Sequence, residues 1–435
     1  MSKRTHVLFL AAALALSVGN AAAVPYSFTN ITNFICGGFL GDPSVNNGGT
    51  VAFGVSTGNV DLGVFTARDR PTTMEHEGSG ALSGIALVPS SLNASGTLAF
   101  PARHTPLVDR EGIFTGSGGP ITTIADTSGP FFFGPNGDPS LSLNDNGTVA
   151  FGAANPDTGE QGIFTGSGGA TTTIADTSGP FSDVFLPSLN ESGTVAFGAS
   201  LDTGEQGIFT GSGGRTTTIA DSSGPFSRFF GGFVGGPSLN DSGTVAFVGV
   251  LDTGEQGIFT SSGGAITTLY DTSGPFAGFG ALSLNDNGTV AFAASLDTGE
   301  EGIFTGSGGP TTTIASGGMF DFLFLDSLSI NNNGTVAFGR GGHSLSGIFI
   351  GPEPFADDVI LEGDALFGSS LSFASMSTQS LNDAGQISFF YQLDDGRIGV
   401  ARADPLVIRV PEPGTLFLLV AGLLAAVLWR KGEST

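Results

Sequence analysis

The chain has 435 residues, 71 of them glycine and 38 phenylalanine, with 39 acidic residues against 14 basic ones and a formal net charge of −25. Glycine is about one residue in six against a usual share of roughly 7%, and charged residues, at 12%, fall to about half their ordinary frequency. No basic footprint exists to neutralise phosphates, which excludes a nucleic-acid binder, and Val, Leu, Ile and Phe are too plentiful for a long disordered chain. A chain of this length is expected to form two or three domains or one large repeat array.

The N-terminus places Lys3 and Arg4 before an apolar run from Val7 to Val18, followed by Asn20-Ala21-Ala22-Ala23. A basic start, an apolar stretch and an A-x-A site formed by Ala21 and Ala23 read as a secretory signal peptide over residues 1–23, cleaved after Ala23. Cys36, the single cysteine, lies beyond that site. It can be neither a lipidated first residue nor half of an internal disulfide.

From there the chain repeats itself. A glycine leading into a short apolar strand recurs eight times, at Gly49, Gly96, Gly147, Gly193, Gly243, Gly288, Gly334 and the divergent Gly385, with spacings of 47, 51, 46, 50, 45, 46 and 51 residues. A period near that length suits a four-stranded propeller blade and is too long for one coil of a β-helix. In the fourth unit the strands read as Pro187–Asn190, Thr194–Ser200, Gly207–Thr210 and Thr216–Ala220, separated by turns at Glu191–Gly193 and Gly213-Gly214 and by the loop Asp202–Gln206. Apolar residues alternate with small or polar ones, and Thr, Val, Ile and Phe dominate, as a pleated surface prefers.

Within each Asn-x-x-Gly turn the glycine is expected to supply a positive φ and the asparagine to bond nearby backbone amides. The phenylalanines of the Ala-Phe and Ile-Phe pairs read as packing between blades. The segments Asn144–Phe151, Asn190–Phe197, Asn240–Phe247, Asn285–Phe292 and Asn331–Phe338 resemble the bacterial NxxGxxAF tandem-repeat family. The order of strands and turns is also similar to TolB-type propeller repeats, although Leu-Asn-Asp-x-Gly stands where those carry Ser-Pro-Asp-Gly. The expected fold is an all-β propeller of eight four-stranded blades over residues 24–409, with seven as the alternative. Arg397–Val400 and Leu406–Arg409 read as terminal strands, and Tyr26–Phe28 as a strand completing an end blade.

Residues that break the repeat are the place to look for catalysis. His76, His104 and His343 fall in separate units, without a metal-spaced pair or a Cys-x-x-Cys. Glu75-His76-Glu77 reads as a polar loop. Gly54-Val-Ser56-Thr-Gly58 matches a nucleophile-elbow pattern but leads into another strand where that elbow needs a helix, and it reads as a hairpin loop. The carboxylates of Asp157 and Glu160, Asp202 and Glu205, Asp252 and Glu255, and Asp297 and Glu300 repeat one Asp-Thr-Gly-Glu loop. They read as solvated hairpin loops, or alternatively as calcium-binding loops on one rim, since hard cations take clustered oxygens. A channel-lining carboxylate pair of the glycosidase kind is a further alternative.

The chain ends in Pro411-Glu412-Pro413, an apolar run from Thr415 to Trp429, and Arg430-Lys431. Fifteen residues at ~1.5 Å each reach about 22 Å, less than a ~30 Å hydrocarbon core, and the cations after them would hold that end in the cytoplasm. These residues resemble the PEP-CTERM sorting signal of Gram-negative bacteria, which places a short transmembrane helix and a processing site in residues 410–435. The resemblance implies recognition by exosortase at the inner membrane and cleavage near the motif. It implies delivery to the cell surface or extracellular matrix of biofilm-forming, exopolysaccharide-producing bacteria. The expected function is a non-enzymatic exported surface or extracellular-matrix protein, with exopolysaccharide as its expected binding partner. A calcium-dependent carbohydrate- or phosphoester-active hydrolase and a purely structural spacer stand as alternatives. Without the two end segments the body has ten basic residues and no lysine.

Overall fold

The computed structural model describes residues 26–406 apart from 36–38, 57–60, 69–72, 78–81, 84–90, 105–109, 134–140, 230–235, 317–322, 341–345 and 352–357. The expected signal peptide, Cys36, His343 and the whole C-terminal signal, Pro411, Glu412, Pro413, Arg430 and Lys431 included, lie outside the described residues. Among the described residues no helix is long and apolar enough to cross a membrane.

What is described forms eight antiparallel sheets in chain order. The protein is an all-β propeller of eight blades. The fourth blade shows the plan: Phe181–Leu189, Val195–Leu201, Gln206–Gly211 and Thr217–Asp221 pair as a simple meander. The first strand is longer than the motif suggests, because register shifts between Phe181 and Asp183 and between Phe185 and Ser188 let it bend while staying paired. The last blade is made from both ends of the fold: Tyr26–Ile35 lies antiparallel to Arg397–Pro405, with Tyr26 opposite Pro405. The expected end strand at Tyr26–Phe28 is thus real and longer. The one expected at Leu406–Arg409 is not formed at Leu406, and residues 407–409 are outside the described set.

Two further expectations are corrected. Glu75-His76-Glu77 is not in a loop but in the strand Thr73–Glu77, where His76 stands opposite Val64. Gly54, Val55 and Ser56 belong to the strand Val51–Ser56, so the Ser56 motif is neither an elbow nor wholly a hairpin loop.

Seven of the blades pair two phenylalanines on one face and carry small or aliphatic residues on the other. Phe197 and Phe209 of the fourth blade pack backward onto Ala150, Ile163 and Ile174 of the third. Ala196, Ile208 and Ile219 of the fourth meet Phe247 and Phe259 of the fifth. The two phenylalanines stand opposite each other across the second and third strands, with ring centroids 5.8 Å apart at Phe197–Phe209 and 5.7 Å at Phe247–Phe259. Small residues on one face and rings on the other let successive sheets approach. Each fully buried ring contributes about 1.5–3 kcal/mol.

A ring of asparagines under an acidic collar

The repeated Leu-Asn lies where the first strand of each blade turns into the second. All eight asparagines are buried, between 3% and 6% exposed. Each side-chain Oδ1 accepts the backbone N–H four residues later, as Asn190 does from Thr194 and Asn240 from Thr244, both at 2.9 Å. The turn glycine donates its N–H back to the asparagine carbonyl. Its φ lies between 74° and 84° in all eight units, a region that a side chain disfavours.

The amide nitrogen of each asparagine then points to the next blade. Nδ2 of Asn46 donates to the carbonyl of Asn93, Asn93 to Asn144, Asn144 to Asn190, Asn190 to Asn240, Asn240 to Asn285, Asn285 to Asn331, Asn331 to Asn382, and Asn382 back to Asn46. The eight bonds measure 2.8–3.2 Å and close the circle. A buried carboxamide needs partners for both ends, and this geometry supplies them in every blade.

The residue after each asparagine forms a second tier. Ala94 donates its N–H to Asp145, Asp145 to Glu191, Glu191 to Asp241, Asp241 to Asp286, Asp286 to Asn332, Asn332 to Asp383, and Asp383 to Asn47. Asn332 also donates from Nδ2 to Asp286, and Asn47 to Asp383, both at 2.9 Å. Ala94 carries no side-chain oxygen, so this tier is interrupted at the second blade. Desolvation pushes the Glu191 carboxyl above its usual range, and the charges of Asp145, Asp241 and Asp286 add to that, against the lowering effect of the Asp145 N–H.

Part of the ring and, from the collar, Asn47, Asp145, Asp286, Asn332 and Asp383 line a cavity of about 310 Å³ whose aliphatic walls are Val45, Leu92, Leu239, Leu284, Ile330 and Leu381. Oxygen acceptors thus stand around a pocket that also has aliphatic walls. Its carboxylates and amides can accept hydrogen bonds from hydroxyl or ammonium groups.

The carboxylates singled out from the sequence lie elsewhere. Antiparallel strand order puts the Asp-Thr-Gly-Glu loops at the opposite end of the blades from the asparagine turns. Asp202, Asp252 and Asp297 use their backbone N–H groups to bond the carbonyls of Pro180, Pro225 and Pro275 in the connection before each blade. Glu160 accepts from its own loop's Thr158 at 2.9 Å. Asp157, Asp202, Asp252, Asp297 and Glu300 are exposed, and Glu160, Glu205 and Glu255 are partly covered. The pairs remain one to a blade. Among the described residues no group of three or more His, Cys, Asp or Glu is gathered for a metal ion.

Sequence reasoning passed over Asp145, Glu191, Asp241, Asp286 and Asp383 because they read as ordinary turn residues. The available signal was their common position, directly after each asparagine, which ring closure converts into a common place.

Several solved structures are similar in fold at low identity. The Dos1 propeller aligns with a TM-score of 0.46 and 9% identity, over 87% of this chain and 95% of that one. The WD40 domain of SCAP from fission yeast aligns at 0.45 and 10%, over 87% and 98%. An acylaminoacyl peptidase from Pyrococcus horikoshii aligns at 0.45 and 10%, over 82% of this chain, which spans only 58% of the peptidase's length. No curated protein matches the sequence. A family of unknown function, DUF7453, matches residues 13–338 and again 282–426, and the chain belongs to that family.

Proposed function

We propose that this is an exported, non-enzymatic surface or extracellular-matrix protein that binds exopolysaccharide at the mouth of its central channel. The observation that carries the binding site is the part of the collar that lines the cavity, Asp145, Asp286 and Asp383 with Asn47 and Asn332. Sugar hydroxyls need acceptors at several angles, and carboxylates with more than one lone pair offer acceptance beyond the backbone bond that each already makes. Export and sorting by exosortase rest on the two end segments of the sequence, with cleavage after Ala23 and near Pro411-Glu412-Pro413.

Binding of the purified protein to a glycan array and to exopolysaccharide from the producing bacterium tests the reading. The triple variant Asp145→Asn, Asp286→Asn, Asp383→Asn keeps an oxygen for each backbone bond and removes three charges. Binding that falls at least about tenfold in this variant, a loss near 1.4 kcal/mol, supports the site. Binding that is unchanged moves the contact away from the collar, and uniform failure of the wild type removes the function. Mass spectrometry of the mature protein reads both cleavage points.

A further inference from the structure

One seam of the ring is built differently from the others. In six blades the second and third strands place an alanine opposite a threonine on the face toward the following blade: Ala52 and Thr66, Ala99 and Thr115, Ala150 and Thr165, Ala196 and Thr210, Ala246 and Thr260, Ala291 and Thr305. In the last blade the same register holds Ser388 opposite Arg402. On the opposite face, seven blades pair two phenylalanines, whereas the last sets Phe389 against Ala401. The N-terminal strand supplies the missing ring, because Phe28 meets Phe389 edge-on at 6.0 Å.

Arg402 is 6% exposed. Its Nη1 donates to the carbonyls of Gly49 and Arg68, both in the first blade, and its Nε donates to Asp404 at 2.7 Å. Asp404 in turn accepts from the Thr29 hydroxyl of the N-terminal strand at 2.9 Å and from the Gln386 amide. Farther along, the buried Tyr391 hydroxyl reaches across the blade to the carbonyl of Thr32 at 3.2 Å. One charge pair thus touches the last blade, the first blade and the strand that precedes both. Arg402 makes fixed-geometry bonds that a threonine is too short to make.

We propose that Tyr26–Ile35 is a strap and that Arg402 with Asp404 is its latch, so that the ring opens at this seam first, by release of the strap. Other seams join consecutive blades of one covalent run through the asparagine bond, collar and serine-to-backbone bonds and apolar packing. This one must be closed by a strand from the far end of the chain, and its loop-closure cost is offset by the polar latch. Stability across a structure is not uniform, and a terminal strand at the edge of its sheet, paired on one side only, opens as a unit.

Hydrogen exchange on the full chain tests it. Arg402→Thr installs the side chain found in six other blades. The expected result is exchange about tenfold faster in the amides of Phe28–Ile35 and Val51–Val55, with less than about twofold change in Val195–Leu201 and Val245–Leu251. Asp404→Asn should give the same pattern at smaller amplitude. Equal acceleration in all blades, or none anywhere, overturns the proposal. Should Arg402→Thr not fold, wild-type exchange in sub-denaturing urea decides. The strap and Val51–Val55 must share one opening event at lower denaturant than the fourth and fifth blades, and a single global opening, or earlier opening of the fourth blade, refutes the latch.

Discussion

Asn382 donates its side-chain amide to the carbonyl of Asn46 at 2.8 Å, although 336 residues separate the two. The same bond joins Asn190 to Asn240 within the continuous run of blades, at 3.2 Å. Closure therefore reproduces, at the first and last units, a contact made between every consecutive pair. The motif glycine shapes the turn, the turn presents the asparagine, and the asparagine counts the blades.

Replacing one asparagine should be felt on both sides of a seam. Asn240→Ala removes the acceptor for the Thr244 N–H and the donor to the Asn285 carbonyl, in a site 4% exposed. The Asn285 carbonyl keeps the Gly288 N–H, so the larger loss is the stranded Thr244 amide. Destabilisation of about 1–3 kcal/mol is expected in urea unfolding. Asn240→Asp retains an acceptor and loses the donor, and should fall between. A cost below about 0.5 kcal/mol for the alanine variant would show that water replaces the ring bond.

Much of this was legible because repetition amplifies weak signals. A single Asn-x-x-Gly is a turn, but eight at one spacing fix strand order, blade length and the place of Phe197 and Phe209 between sheets. Arg402 was not legible, since one arginine among several scattered ones has no period, and its partners Gly49 and Arg68 are more than 330 residues away in sequence. Glu75-His76-Glu77 misled in another way: its polar character outweighed its position in the outer strand of a blade, where polar residues are tolerated at an edge. The collar acids were not singled out, because only ring closure turns equal repeat positions into neighbours.

Glycines within strands divide into two kinds that Ala substitution should separate. A Cβ at Gly207 would stand 2.6 Å from the Ala220 carbonyl and 2.9 Å from the Phe209 ring, so Gly207→Ala must push the third strand off its neighbour. A cost of about 1–3 kcal/mol is expected. Gly152 has open space at the same atom and an ordinary φ. Gly152→Ala should be neutral or stabilising by up to about 1 kcal/mol, through the unfolded chain. Thermal unfolding of the two variants side by side reads the difference, and equal effects would refute the steric account.

Glu191 is raised by burial and by Asp145, Asp241 and Asp286 around it. A carboxyl raised in the folded state binds protons more tightly there than in the unfolded chain. It therefore favours folding as pH falls through its raised value and opposes folding above it. Glu191→Gln keeps an oxygen for the Asp145 N–H and removes the charge, and should raise Tm slightly at pH 7–8. The advantage should shrink as pH falls into the carboxylate range. A variant less stable than wild type at pH 8 would mean that the backbone bond outweighs repulsion.

Tyr26 offers the alkaline counterpart. Its phenol is pushed up to about 12 by burial between the strap and the last blade. The unfolded phenol ionises near 10, so between those values the folded state holds a proton that the unfolded state has lost, and stability falls as pH rises through the window. Tyr26→Phe should remove that contribution, leaving a flatter stability profile from pH 10 to 12. Phenolate absorbance should separate Tyr26 from Tyr270 and Tyr391 by comparison of the variant with wild type. Since Tyr26 opens the strap, hydrogen exchange in Thr29–Thr32 should quicken, relative to the intrinsic alkaline rate, over the same pH window in wild type and not in the phenylalanine variant. Strap exchange that ignores the tyrosine would uncouple its ionisation from the seam.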